Sequence, residues 1–393
     1  MELLKRAAAN LALALGGIII ALLIAEAALR IANHWYPYFF CFDPAAGWSL
    51  RPGASGYYDR EGDAWVSINR DGFRGPDRPR FKPADTFRVA MLGDSYTEAI
   101  QVPYDQTFSA VAERELAGCP ALKGKRVEVL DFGVDGYGTA QELVTLRDRA
   151  LAYAPDAVVL AIFLGNDIRN NSVVLEGDRC RPFYALDDGR LTPVGPFFDS
   201  SSFRLWCMAR FDYRDAALTD LLAESWTILR HPPRAPTPES PTERAINYNI
   251  YKPPTDKAWR DAWDVTDALI KQVRDESVEH HARFLAVTLD TGVQVLPDAV
   301  ARANFMHRQG INDLFYPDEH IEMLGRKEGF AVLALAPQLQ KYASEHHVYL
   351  HGFKNTPMGF GHWNAQGHRM AGKLIAARLC AMLTGAGSAD GAH

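Results

Sequence analysis

The stretch "RVAMLGDSYTEAIQVP" (Arg88 to Pro103) sets the frame for the chain. An apolar run with the look of a buried strand ends in Gly93-Asp94-Ser95, and a polar segment of helical character follows. A serine at such a joint has two uses. It caps the helix, as Ser, Thr, Asp and Asn commonly do, or it is a nucleophile held at the mouth of a sheet.

Working outward, strand-like and helical runs alternate. Phe87–Leu92 reads as a strand and Thr107–Leu116 as a helix. Arg126–Phe132 is a second strand, Thr139–Tyr153 an amphipathic helix, and Asp156–Leu164 a third strand that is apolar almost throughout. Runs of that kind belong to strands covered on both faces, as in a parallel sheet between helices. The pattern breaks between Asn166 and about Pro254, where "HPPRAPTPESP" (His231–Pro241) lies, and an insertion over residues 168–254 is expected. It resumes with a helix over Lys257–His280, strands at Arg283–Asp290 and Phe330–Ala336, and a last helix over Asn364–Leu383. Strands spaced by helices predict a doubly wound α/β domain over residues 86–385.

Three polar, glycine-containing motifs end successive strands: Gly93-Asp94-Ser95, "DFGVDGYGT" (Asp131–Thr139) and Gly165-Asn166-Asp167. In open α/β sheets ligands bind at the carboxyl ends of the strands. Ser95 as a nucleophile needs a base, and an attacked ester carbonyl needs donors for its oxyanion. Backbone amides near Ser95 and Gly136 and the side-chain amide of Asn166 are candidates. The bland alternatives are a turn glycine at 136 and a helix cap at Asn166. The candidate base is His362 in "GFGHWNAQGHRMAG" (Gly359–Gly372), on a Gly-rich loop before the last helix, with Asn364 as its cap. His346, His347 and His351 in "EHHVYLHG" read as surface residues around a short strand, and His368 as structural.

In that order, Gly93-Asp94-Ser95, Gly136, Gly165-Asn166-Asp167 and His362 resemble the four blocks of the SGNH hydrolase superfamily, the GDSL esterases and lipases. "INRDGFRG" (Ile68–Gly75) and "HWNAQGH" resemble a membrane-anchored bacterial branch of it. The resemblance implies a three-layer α/β/α, flavodoxin-like fold with a central parallel sheet. It also implies Ser95 as nucleophile, His362 as base, and Ser95, Gly136 and Asn166 as the oxyanion hole. Two positions depart from the pattern. Tyr96 stands in the fourth place of the first block, and Gly359 stands three residues before His362, where the family carries an aspartate. Three readings of the missing acid stay open: a Ser95–His362 dyad oriented by a backbone carbonyl, an acid from elsewhere with Asp290 as the replacement, or a degenerate site.

The remaining composition sets bounds. The formal net charge of -6 gives no footing for nucleic acid as a partner. None of the five cysteines forms a CxxC pair or a Cys/His cluster, so no metal is expected, and no cofactor is assigned. Cys180 and Cys207 suit a disulfide in an oxidising compartment, and an odd count leaves at least one cysteine free.

At the N-terminus, Lys5 and Arg6 precede the uncharged Ala7–Ala25, with Glu26 after it. As a helix this run spans about 28 Å, close to a bilayer core. The charges predict a single-pass anchor (residues 1–30) with the remainder outside the cytoplasm, and the resemblance implies that this is a bacterial inner membrane with the domain in the periplasm. A cleaved signal peptide is the competing reading, since Ala25-Glu26-Ala27 fits a small-x-small site. "WYPYFF" (Trp35–Phe40) reads as an aromatic belt or a first packed turn. Residues 31–85 are expected to connect anchor and domain through hairpins, and residues 386–393 to form a tail.

The expected function is hydrolysis of an acyl ester, a small O-acyl group on a cell-envelope carbohydrate or lipid. An O-acyltransferase and an inactive carbohydrate-binding member are the alternatives. Phe183, Tyr184, Phe197, Phe198, Trp206 and Trp226 in the insertion either stack on sugars or form a satellite core.

Overall fold

The computed structural model describes residues 1–31, 39–212, 216–230 and 246–385. The "HPPRAPTPESP" stretch, the tail and residues 35–38 of "WYPYFF" lie outside them. Helix α1 (Glu2–Ile31) is followed by two antiparallel hairpins, β1 (Phe40–Asp43) with β2 (Gly47–Leu50) and β3 (Ser55–Tyr58) with β4 (Ala64–Ser67). The α/β domain then begins with β5 (Thr86–Gly93), α2 (Ser95–Glu98), α3 (Phe108–Leu116), β6 (Arg126–Asp131), α4 (Thr139–Asp148), β7 (Ala157–Phe163) and α5 (Asp167–Asn170). The insertion carries a hairpin of β8 (Phe183–Asp187) and β9 (Arg190–Val194), then α6 (Pro196–Asp199), α7 (Ser201–Asp212) and α8 (Ala217–Arg230). The domain closes with α9 (Lys257–Glu279), β10 (Arg283–Leu289), α10 (Ala299–Gln309), α11 (Tyr316–Glu328), β11 (Ala331–Ala334), α12 (Ala336–His346) and α13 (Ala365–Thr384).

The central sheet has five parallel strands in the order β11-β10-β7-β5-β6. Every residue of β5 and β7 is buried, which is why β7, and β5 beyond Arg88, read as apolar runs. Helices α3 and α13 pack on each other to one side, and α4 and α9 to the other, giving the three-layer α/β/α arrangement. β5 pairs with β6 on one edge and β7 on the other. The order of the chain reverses there, and the crevice at such a switch point is where these sheets bind ligands.

Two polar features hold the frame. Arg88 on β5 and Glu128 on β6 form a fully buried ion pair at 2.7 Å, and Arg88 also donates to the carbonyls of Pro79, Arg80 and Tyr153. Removing one partner of such a pair typically costs about 3–5 kcal/mol. A disulfide joins Cys119 to Cys380, fastening the approach to β6 to the end of α13. A second joins Cys180 to Cys207 inside the insertion, as the sequence suggested, and Cys41 is free.

One alternative left open in the insertion is decided, and one expectation about the last loops needs correcting. Phe183 and Phe197 are fully buried and Tyr184 nearly so, Phe197 beside the Cys180–Cys207 bridge and Tyr184 in the main core. They form packing rather than sugar platforms, whereas Trp206 and Trp226 are exposed. His351 is fully buried rather than on the surface.

Helix α1 is long and apolar enough to cross a membrane, with a mean hydropathy of 2.4 over its most apolar window and no buried residue.

Candidate active site

The joint at Gly93-Asp94-Ser95 resolves in favour of Asp94 as the cap. Its side chain accepts from the Tyr96 amide at 2.9 Å, and Ser95 is the first residue of α2. The serine is therefore free of capping duty. Its Oγ lies 2.9 Å from His362 Nε2. The chain arrives at His362 from the loop after α12, and α13 begins three residues later, capped by Asn364.

The other imidazole nitrogen meets an acid that lies elsewhere in the chain. His362 Nδ1 lies 2.6 Å from Glu61 Oε2, and the His362 backbone amide donates to Glu61 Oε1 at 2.8 Å. Glu61 sits in the β3–β4 turn, outside the α/β domain. Asp290, the expected replacement, is elsewhere engaged. It is fully buried, contacts His351 Nε2 at 2.8 Å, and accepts from Trp363 Nε1 at 3.2 Å. Among the described residues, neither Asp290 nor a carbonyl meets Nδ1 of His362.

The Asp290–His351 pair braces the loop instead. His351 Nδ1 lies 2.7 Å from the Gly361 carbonyl, which also accepts from Tyr96 Oη at 3.0 Å. The peptide unit entering His362 is thus held on its carbonyl side by Tyr96 and His351 and on its amide side by Glu61. Tyr96 also stacks on Phe163, with ring centroids 4.3 Å apart, and lies 5.0 Å from the His362 ring. The unusual residue in the fourth place of the block is a floor for the imidazole.

The turn bearing Glu61 is pinned from three sides. Gly62 has φ +80, and a Cβ there would stand 2.1 Å from the Gln101 carbonyl, so only glycine fits. The Asp63 amide donates to that same carbonyl at 3.4 Å. Asn355 accepts from the Gly62 amide at 3.0 Å and donates to the carbonyls of Asp59 and Gly62 at 2.7 and 2.8 Å.

Gly136 lies in the loop after β6 with φ +73. A Cβ there would make only ordinary contact with Trp48, at 3.5 Å, so conformation rather than space calls for glycine. The loop is tied down by Asn170, whose amide donates to the carbonyls of Gly136 and Tyr137, and by Glu98, which accepts from the Asp135 amide. Asn166 precedes α5 but makes no side-chain cap bond. Its side chain instead stands beside Asp94 and favours that carboxylate's charged form. His368, on α13, is buried and accepts from the Phe108 amide at 3.3 Å, a packing role.

Electrostatics follow from this arrangement. Burial by itself would push the His362 pKa down, but the Glu61 charge and hydrogen bond, with Asp135 and Asp94 behind them, raise it to about 9. Burial would push Glu61 up, but His362 on both oxygens holds its carboxyl below the usual range. Burial raises Asp94 to about 7 against the opposing Tyr96 amide and His362 charge.

Serine hydroxyl, imidazole and carboxylate stand in series at the carboxyl edge of a parallel sheet, an arrangement chemically suited to activating a serine. No protein-family model and no curated protein matches the chain. Solved structures similar to it include an acetyl xylan esterase, at 13% identity over 75% of this chain and 100% of that one, TM-score 0.38. Others are a lipase/acylhydrolase from Enterococcus faecalis (12%, 75% and 96%, TM-score 0.37) and a catalytic mutant of an acetylxylan esterase from Geobacillus stearothermophilus (10%, 77% and 96%, TM-score 0.38).

Proposed function

We propose that the chain is an SGNH-type serine esterase in which Glu61 replaces the acid that the family carries beside its histidine. The observation that carries this is the unbroken series Glu61–His362–Ser95, at 2.6 and 2.9 Å. Ser95 Oγ attacks the ester carbonyl while His362 Nε2 takes its proton. Glu61 holds the Nδ1–H tautomer and stabilises the imidazolium as it forms. The amides of Ser95 and Gly136 and the side chain of Asn166 receive the oxyanion, each worth about 3–4 kcal/mol to the transition state. His362 then protonates the leaving alcohol. Water, deprotonated by His362, hydrolyses the acyl-enzyme and frees Ser95.

The substrate we infer is a small O-acyl group on a cell-envelope carbohydrate or lipid. α1 supports a membrane-anchored enzyme, and two disulfides suit an oxidising compartment such as the periplasm. The test is p-nitrophenyl acetate hydrolysis together with labelling by a fluorophosphonate probe. Both should occur with the native protein and vanish in Ser95→Ala. A folded protein that neither hydrolyses nor labels would sink the assignment.

A further inference from the structure

The insertion carries exposed apolar side chains on two helices that the esterase chemistry does not use. Leu205 and Trp206 on α7 and Leu222, Trp226 and Leu229 on α8 are each between 55% and 74% exposed. On α8 the last three fall at i, i+4 and i+7, a single stripe along one face. An exposed apolar face with two tryptophans marks an interaction surface.

Its place in the molecule says what covers it. The first amides of α8, those of Ala217 and Leu218, donate to the carboxylate of Glu26 on α1 at 3.0 and 2.9 Å. Glu26 immediately follows the uncharged run Ala7–Ala25, so it marks the level at which α1 leaves a bilayer core. Helix α8 therefore starts at the membrane boundary. Tryptophan concentrates at that depth, and amphipathic helices lie in the same plane with apolar side chains down. Arginine accompanies both helices: Arg204 on α7, and Arg230, whose guanidinium stands 4.5 Å over the Trp226 ring. These are cations suited to lipid phosphates.

We propose that α7 and α8 lie on the bilayer from which α1 emerges, seating Trp206, Trp226 and their leucine neighbours among the lipid headgroups. The surface holds the catalytic domain close against the membrane rather than on a free tether. It rests on α1 being embedded, and not on the esterase assignment.

The experiment uses the full chain in vesicles of phosphatidylethanolamine and phosphatidylglycerol, with acyl chains brominated near the glycerol end or near the tail. Flotation after alkaline washing reports whether α1 is embedded. Tryptophan quenching is then compared between the native chain and Trp206→Phe, Trp226→Phe and the double variant. These residues are exposed, so the substitutions leave the core intact. The expected result is quenching that is stronger with bromine near the glycerol end, reduced in each single variant, and reduced at least twofold in the double variant. Equal quenching in the native and double-variant chains overturns the proposal. So does shielding of both tryptophans from aqueous acrylamide without quenching by brominated lipid, since a second copy or another protein then covers the face. A chain that does not float removes the embedded helix, and the proposal with it.

Discussion

Glu61 meets His362 twice, with one carboxylate oxygen on the imidazole Nδ1 at 2.6 Å and the other on the residue's own backbone amide at 2.8 Å. One side chain thus sets both the ring and the peptide that carries it. Glu61→Gln keeps the size but removes the charge that the imidazolium needs. The turnover of p-nitrophenyl acetate should fall by roughly 10²- to 10⁴-fold, with Ser95 still present and the fold intact by circular dichroism. Turnover within twofold of native would remove Glu61 from the relay.

The pH profile tests the same contact. His362 works as a base only when neutral, and its pKa is raised to about 9. The kcat/KM of the native protein should climb with pH and level off only above about 9. In Glu61→Gln the limb should move down toward the ordinary imidazole value of about 6.5. The same shift carries a stability term. The folded protein holds this proton more tightly than the unfolded chain, so the contribution is complete below about 6.5 and disappears as pH rises through about 9. A limb that stays in place in the variant would count against the ion pair.

Asn355 is the clamp on the Glu61 turn, with three hydrogen bonds to Asp59 and Gly62. Asn355→Ala should lower kcat about 10- to 100-fold through misplacement of the acid. KM should stay nearly constant and the pH limb should move down, as in Glu61→Gln. A loss of thermal stability with an unmoved limb would mean that Asn355 supports the fold alone.

Restoring an aspartate at the family position should fail. Gly359 has φ +88, and a Cβ there would stand 2.7 Å from Leu296. Gly359→Asp should lower the melting temperature and raise no activity, because Glu61 already fills the place beside Nδ1. A gain in turnover would show that the site lacks an effective acid.

A buried carboxyl outside the relay gives a separate check on stability. Burial raises Asp131 to about 7 against the opposing Gly133 amide and Arg74 charge. Between about 4 and about 7 the folded state keeps a proton that the unfolded chain has released, so stability falls as pH rises across that window. Asp131→Asn removes the titration. Chemical denaturation should find the variant more stable than native at pH values above about 7, by an amount that shrinks to nothing below about 4. A constant difference across pH would refute the assignment.

The sheet was legible because its evidence is local. The apolar runs of β7 and of β5 after Arg88, and the polar residues that end them, lie within single stretches of chain. Ser95 and His362 were found for the same reason, each sitting at a Gly-rich joint. Glu61 was not, because its partner is 301 positions away. All that marked it was an acid before Gly62 in a polar turn. Asp290 was misjudged because a strand end says where a side chain starts and not which histidine it meets. His351 was judged by its polar neighbours, while its burial comes from Tyr96, Trp363 and Asp290. The signals of helices α10 and α11 are local as well: Asp298 caps the first, and Gly310 and Gly329 end the two in left-handed conformation.

The hairpin that bears Glu61 has a consequence for where this protein can be cut. Residues from Thr86 onward hold the whole parallel sheet, Ser95 and His362, and would pass for a self-sufficient unit. Severed between Ser67 and Thr86, that unit keeps all five strands, Ser95 and His362 in its sequence and loses the carboxylate that meets Nδ1. The border of the parallel sheet and the border of the proposed relay are therefore different places in the chain. An inventory confined to the former would file the protein among the inactive.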